Sequence, residues 1–439
     1  MLTNGELVRS SHLSVPSKSA TIVPMEHNAR VLSLGNKQEI TEEMRRIGAE
    51  PGGIARMAPK AEHYLVKLEN VRTPLAHILK ESFLSAGGDA VVSKDVITAK
   101  ITHTDVLLVG TRKHFNAVSD ALKAQQFGGA ALAGEMLAAI RNSGSKPSPL
   151  PPDVVASNTV RRLFETMVRR TLVMGILNVT PDSFSDGGKH LNHTTATDAA
   201  MQMVADGADI IDVGGESTRP GSEPVAEDEE IRRVVPVIES IRAASPIAIS
   251  IDTYKAGVAK AALDAGADII NDISAMSFDL KMATLAASAN APVILMHIKG
   301  TPKEMQASPV YDDLMAEVSA FLRERIEAAK AAGVDERLLI IDPGFGFGKT
   351  VEHNLTLLRR LREFKSIGRP ILMGTSRKST IGRVLGDLPS GERLEGTAAT
   401  VALSIANGAN IVRVHDVKEM ARVARMTDAV IGDTNAQEL

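Results

Sequence analysis

Between residues 168 and 434, short apolar runs and helical stretches alternate eight times, and few folds can accommodate such a pattern. The candidate strands are 171–177, 210–213, 247–251, 268–271, 292–296, 338–341, 370–373 and 410–413. They are rich in Ile, Val and Leu and nearly continuous in apolar character. Strands of that kind belong in a parallel sheet covered on both faces. Helical periodicity fills the intervals, for example at 198–205, 227–244, 256–265 and 314–332. The span suits an α/β fold of the (β/α)8 TIM-barrel type, which takes roughly 250 residues. A doubly wound open sheet is the alternative, because a count of eight favours closure without requiring it.

Upstream, the run Ser143-Gly144-Ser145-Lys146-Pro147-Ser148-Pro149-Leu150-Pro151-Pro152 reads as a semi-rigid linker, continued by a lead-in helix to 167. Residues 27–142 read as a small α/β domain. A helix is expected at 40–47, opened by Thr41 with Glu42 and Glu43 in its first turn. A strand at 63–68, a helix at 73–86 stopped by Gly87-Gly88, strands at 90–93 and 106–109, and a helix at 113–124 follow. His63, His103 and His114 are scattered, and this domain shows no catalytic constellation. Residues 1–26 read as a flexible tail, of which the first 24 are Ser-rich with a single acid, Glu6; a transit peptide has a similar composition.

Composition narrows the chemistry. The chain has no cysteine, which removes disulfides, thiol catalysis and Cys-type zinc sites, and fits a reducing, cytoplasmic setting. The formal net charge is −3 and there is no long Lys/Arg run, so no nucleic-acid partner is expected. No apolar stretch approaches the ~18 residues needed to span a bilayer, so no membrane association is expected either.

In a barrel of this type the chemistry sits at strand carboxyl ends and in the loops that follow. Here every candidate strand delivers polar or charged groups to that rim. Asp252, Asn271 and Asp342 end the third, fourth and sixth strands. A carboxylate can accept two N–H donors, and Asn offers both a donor and an acceptor, which suits a flat heterocycle. Any one of them could instead cap a helix or hold a turn; three at one rim favour a ligand. Arg219, Lys378, Arg413 and His415 suit an anion. Residues 375–379 also open a helix, where Ser379 and nearby N–H groups can hold a phosphate or carboxylate. Surface solvation is the alternative, strongest for Arg377. Asn178 and Asp182 offer oxygens to Mg2+ bridging a diphosphate, an ion that needs few protein ligands; Asp182 equally suits a turn. The Gly-rich loops 186–188, 214–215 and 344–348 can close over a substrate. Gly344-Phe345-Gly346-Phe347-Gly348 lacks dinucleotide-binding spacing, so neither NAD nor FAD is expected. Its two Phe rings either line an aromatic pocket or simply pack. No nucleophile-elbow pattern appears.

Residues 178–188, 212–221, 342–349, 376–382 and 413–417 closely resemble the signature segments of dihydropteroate synthases. The resemblance spans the barrel and leaves residues 1–160 uncovered. It implies a transferase of folate biosynthesis that joins 6-hydroxymethyl-7,8-dihydropterin diphosphate to p-aminobenzoate, giving 7,8-dihydropteroate and diphosphate. By the same resemblance Asp252, Asn271, Asp342 and Lys378 would hold the pterin, with Met296 and Arg413 on its faces. Asp252, Asp342, Lys378 and Arg413 would carry the chemistry. Asn178, Arg219, Arg413 and His415 would attend the diphosphate, with Mg2+ at Asn178. Thr218, Pro220, Phe184, Phe347 and Ser379 would shape the p-aminobenzoate site. The resemblance also implies a homodimer. Two other readings are a pterin methyltransferase module and a non-catalytic regulatory barrel. The segments 178–188, 376–379 and 413–415 speak against the first, because methyl transfer needs no diphosphate site.

Overall fold

The computed structural model describes residues 30–32, 34, 37–98, 100–124, 128–179, 189–217, 222–307 and 309–432, with 189–193 as backbone only. The chain divides into two compact units, Met1–Glu62 and His63–Leu439. This boundary falls inside the stretch 27–142 that the sequence suggested as one domain. The reason lies in the small core, which is drawn entirely from residues 66–140.

In the first unit, α1 (Lys37–Arg46) buries no residue and carries the exposed pairs Arg45–Glu42 at 3.2 Å and Arg46–Glu43 at 3.3 Å. Thr41 lies inside this helix and does not open it. Helix α2 (Pro51–Ala61), unforeseen from sequence, starts on a proline, whose missing N–H costs nothing in a first turn.

The second unit opens with β1 (His63–Arg72), α3 (Thr73–Ala86), β2 (Asp89–Val92), β3 (His103–Thr111), α4 (Arg112–Lys123) and α5 (Gly129–Ser143). The strands form an antiparallel sheet in the order β1-β3-β2. Val66, Leu68, Val106 and Leu108 alternate onto one face and pack with Phe83, Phe115 and Met136. The sequence reading missed α5, although Ala133, Met136, Leu137 and Ile140 recur at helical spacing.

The Pro-rich run then folds back on α6 (Asn158–Arg169). The Arg161 guanidinium donates to the carbonyls of Pro151 at 3.2 Å and Pro152 at 3.3 Å, and also to that of Val154. Leu150 and Val154 join Leu163, Phe164 and Met167 in closing the barrel floor.

The barrel follows as β4 (Leu172–Asn178), α7 (Lys189–Ala205), β5 (Ile210–Gly214), α8 (Glu227–Ala244), β6 (Ala248–Asp252), α9 (Ala256–Asp264), β7 (Ile269–Asp272), α10 (Lys281–Ala289) and β8 (Val293–Met296). It is completed by α11 (Leu314–Ala331), β9 (Leu339–Asp342), α12 (Val351–Arg360), β10 (Leu372–Met373), α13 (Ser379–Val384), α14 (Leu394–Ala406), β11 (Ile411–Val414) and α15 (Val417–Ile431). The eight strands are parallel in the order β10-β11-β4-β5-β6-β7-β8-β9. A parallel bridge from Ile341 to Ile371, and a 2.9 Å bond from the Ile341 N–H to the Pro370 carbonyl, close the ring and dispose of the open-sheet alternative. Strand β10 is shorter than expected because Pro370 has no N–H to give to a ladder.

One local device recurs at the floor. Gly207-Ala208-Asp209, Gly266-Ala267-Asp268 and Gly408-Ala409-Asn410 each lead into a strand, with glycine φ of 103°, 110° and 101°. The Asp or Asn side chain accepts the N–H of Val173 (2.9 Å), Ile249 (3.0 Å) or Ile371 (2.9 Å) on the preceding strand. Its own N–H donates to the carbonyl of that same residue at 2.8 Å in all three cases. Positive φ at the glycine turns the chain from helix to strand at little steric cost.

Inward-facing residues form two tiers. Leu172, Met174, Ile210, Ala248, Ile269, Ile294, Ile340, Leu372 and Ile411 share one apolar cluster with the floor helix α6. Their outward neighbours, such as Ile211, Ile249, Ile270, Leu295 and Val412, pack on the surrounding helices. Because side chains alternate along a strand, the next inward positions are Asp212, Ser250, Asn271, Met296, Asp342 and Arg413, and Asp252 follows Ser250 with the same parity. The strand register therefore aims the polar set into the mouth.

Candidate active site

Arg413, from β11, ties that set together. Its Nε donates to Asp212 Oδ2 and its Nη2 to Asp252 Oδ2, both at 2.6 Å. Asn271 Nδ2 donates to Asp212 Oδ2 at 3.2 Å. The other oxygen of Asp252, Oδ1, is buried and has no hydrogen-bond partner among the described residues. A buried acceptor left open costs free energy until a donor fills it. Burial pushes the Asp252 carboxyl up to about 7, with Arg413 opposing and the Asp212 charge adding to the rise. Burial works against the Arg413 cation too, but Asp212 and Asp252 outweigh it and hold Arg413 firmly protonated.

Asp342 ends β9. Its Oδ1 accepts the Gly344 N–H at 2.7 Å, so it holds a turn and still presents a carboxylate to the mouth. Burial raises its pKa, with Lys378 and the Gly344 N–H opposing. Asp272 takes only the turn role: its side chain accepts from the N–H groups of Ser274 at 2.7 Å and Met276 at 2.9 Å.

The loop after β9 arches over the rim on three glycines with positive φ, Gly344, Gly346 and Gly348. A Cβ on Gly344 would lie 1.8 Å from the His297 carbonyl oxygen, and one on Gly346 would lie 2.9 Å from Lys378 Cδ. Lys378 donates to the Phe345 carbonyl, and its Nζ lies 4.5 Å from the centre of the Phe347 ring. Burial pushes the Lys378 amine down to about 8, with Asp342 opposing. Met296 packs with Ile273, Ile298, Met305 and Phe347 in a separate apolar cluster. His415 Nδ1 lies 3.0 Å from Ser376 Oγ. Arg377 pairs outward with Asp416, in keeping with a solvation role. Asn178 ends β4 half-exposed, and Ser379 stands exposed at the start of α13.

The structure therefore gathers Asp252, Asn271, Asp342, Lys378 and Arg413, with Met296 and Phe347 beside them. Phe184, Thr218, Arg219 and Pro220, with Asp182, lie outside the described residues. Sequence reasoning gave no role to three groups. Asp212 was passed over because it sits one step below the rim inside an apolar strand, yet a lone charge within Ile-Ile-Asp-Val-Gly is a signal in itself. Lys349 and His297 were passed over because nothing in their local sequence places them together; Lys349 Nζ is 2.9 Å from His297 Nδ1.

Chemically, the mouth pairs buried carboxylate acceptors with fixed cations. The acceptors suit N–H donors on a planar ring, and Lys378 and Arg413 suit an anionic substituent on it. A separate cavity of about 240 Å3 at the opposite end of the barrel is lined by Arg170, Asp209, Arg425 and Asp428 and shares no residue with the mouth.

A family model described as pterin binding enzyme matches residues 174–415. A dihydropteroate synthase of Bacillus subtilis is 54% identical over 262 residues, covering 60% of this chain and 89% of its own length. A crystal structure of a dihydropteroate synthase from Clostridium difficile, in the presence of pteroic acid, is 50% identical with a TM-score of 0.57, over 60% of this chain and 97% of that one. A probable bifunctional folylpolyglutamate synthase/dihydropteroate synthase of Haloferax volcanii is 42% identical over 356 residues, 78% of this chain and 40% of its own. A share of 78% of this chain exceeds what residues 168–434 alone can supply, so this similarity reaches into the residues before them.

Proposed function

This chain belongs to the pterin-binding enzyme family, among the dihydropteroate synthases, and from that membership we propose how its barrel mouth divides the work. The reaction is the condensation of 6-hydroxymethyl-7,8-dihydropterin diphosphate with p-aminobenzoate to 7,8-dihydropteroate and diphosphate, a transferase step of folate biosynthesis.

Asp252, Asn271, Asp342 and Lys378 hold the pterin, with Met296 and Arg413 on its faces. What carries this reading is the buried, unfilled Oδ1 of Asp252 beside the Arg413 guanidinium. A pterin N–H would fill that acceptor. Asn178, Arg219, Arg413 and His415 attend the diphosphate. Thr218, Pro220, Phe184, Phe347 and Ser379 shape the p-aminobenzoate side.

The C–O bond to diphosphate breaks with its electron pair on the leaving group, and the pterin delocalises the positive charge that remains. Asp252 and Asp342 stabilise that charge electrostatically, more strongly in a dry site than in water. The neutral arylamine then attacks the methylene carbon and releases a proton. The Gly-rich arch at 344–348 excludes the water that competes for the cation.

Among the described residues no group of three His, Asp or Glu is placed to hold a metal ion. A single hard oxygen, the Asn178 amide, fits Mg2+, which would take its other ligands from diphosphate and water. When bound, the ion supplies charge neutralisation on the leaving group.

The chemistry belongs to residues 168–434, and none of it to the α/β residues 27–142. A homodimer is supported by Leu403, Met426 and Val430, which stand exposed on α14 and α15. No described helix is long and apolar enough to cross a membrane, and a cysteine-free chain suits the cytoplasm. Steady-state release of diphosphate and dihydropteroate from the two substrates tests the assignment. Absence of both products from folded, Mg2+-supplied protein overturns it.

A further inference from the structure

We propose that Lys349 is a positioning residue for the arylamine half of the reaction: its amine, held between the His297 ring and the Phe347 carbonyl, fixes the 344–348 arch and so sets where Phe347 stands. The inference rests on the p-aminobenzoate side assigned above.

Lys349 is only 2% exposed and His297 5%, yet the mechanism uses neither. The Lys349 amine lies 2.9 Å from His297 Nδ1 and 3.0 Å from the Phe347 carbonyl oxygen. His297 sits one residue past β8 and Phe347 at the top of the arch, so one side chain bridges two loops. The link is a short chain of contacts. Lys349 holds the Phe347 main chain, and with it the ring assigned to the p-aminobenzoate side. Two further bonds draw the arch to the loop after β8: Gln306 Nε2 to the Gly346 carbonyl and Tyr311 Oη to the Gly348 carbonyl, each 2.8 Å. With all three glycines at positive φ, the arch has no regular ladder of its own, and side-chain ties must set its height.

The tie titrates in the working range. Burial pushes the Lys349 amine down to about 7, with the Asp342 carboxylate opposing and the Lys378 and Lys299 cations adding to the fall. Burial also holds the His297 ring neutral, down to about 2, and opposite a protonated amine, which has no lone pair, Nδ1 is the acceptor. Tyr311, whose ring centre is 6.0 Å from the amine, and His353 on α12 complete the groups facing it. Below pH 7 both bonds are charge-assisted, and above it they are weaker bonds from a neutral amine.

The test replaces the amine with an apolar isostere, Lys349→Met. The KM for p-aminobenzoate is expected to rise about tenfold while the KM for the pterin diphosphate changes less than about twofold, a split that general loosening of the fold does not produce. In the wild type the KM for p-aminobenzoate climbs as pH passes about 7, and in the variant this step is absent. His297→Leu, which removes the acceptor, behaves like Lys349→Met, and His297→Asn, which keeps one, restores the wild-type value. These two variants decide the matter should Lys349→Met not fold. Amide hydrogen exchange at 344–350, faster in Lys349→Met, reads the arch without turnover. A wild type that makes no dihydropteroate therefore removes the assigned reaction and leaves the exchange result to decide the tie. Equal changes in both KM values, an unchanged pH step, or unaltered exchange overturns the proposal.

Discussion

The Nη2 of Arg413 lies 2.6 Å from Oδ2 of Asp252, while the Nε of the same guanidinium lies 2.6 Å from Oδ2 of Asp212. One cation from the last strand thus holds two carboxylates from the second and third barrel strands, and removing it leaves like charges facing each other in a buried site. Arg413→Met is expected to destabilise the protein by about 3–5 kcal/mol and to lower kcat/KM at least about a thousandfold, since the group serves both pterin and diphosphate. Thermal unfolding and steady-state kinetics on the same preparation check this. A variant of unchanged stability would mean the two acids do not depend on Arg413.

Asp252 makes pH dependence predictable in sign. Its carboxyl goes from 3.8 in the unfolded chain to about 7 in the fold, chiefly through burial. Between those values the folded protein holds a proton that the unfolded chain has lost, so this group lowers stability as pH rises through that window. Pterin affinity runs the other way. It is expected to rise as pH passes upward through about 7, because the ionised carboxylate accepts ring N–H donors. Calorimetry with an unreactive pterin from about pH 6 to about pH 8.5 shows the trend, and Asp252→Asn abolishes it.

Gly344→Ala introduces a Cβ 1.8 Å from the His297 carbonyl oxygen at φ +72°. Backbone must move, at a cost of about 2–4 kcal/mol, and Phe347 moves with it. Gly391→Ala meets nothing within 4 Å and serves as the control, expected within about 0.5 kcal/mol of the wild type. Paired melting curves and the KM for p-aminobenzoate check both.

Arg161→Ala is expected to cost about 1–3 kcal/mol by releasing the carbonyls of the Pro-rich run, with kcat unchanged because the floor lies far from the mouth. Hydrogen exchange should quicken at 153–157 while the barrel strands keep their protection. A drop in kcat at constant stability would contradict this separation of floor and mouth.

Much of this was legible in the chain. Runs of Ile, Val and Leu separated by helices specify a parallel sheet because each strand is buried on both faces, and the inward parity of Asp252, Asn271, Asp342 and Arg413 follows from their place at strand ends. What stayed hidden depends on tertiary pairing. The carboxylate of Asp212 gains its partner from β11, some 201 residues away. Lys349 and His297 meet across 52 residues. The Pro-rich run looked like a spacer because a sequence cannot show that Leu150 and Val154 belong to the barrel floor. Helix α5 was masked by its own glycines, Gly129 and Gly134, which count against a helix until Phe115 and its neighbours offer a surface to pack on.

The thrice-used Gly-Ala-Asp or Gly-Ala-Asn phrase has a consequence for shuffling. Each copy grips the adjoining strand through main-chain amide and carbonyl, groups that every residue except proline provides in full. The grip is thus indifferent to the neighbour's side chains. Chimeras spliced just ahead of Gly207, Gly266 or Gly408 should keep their seams, so pieces of distant homologues can be exchanged there while the ligand-facing end is inherited intact.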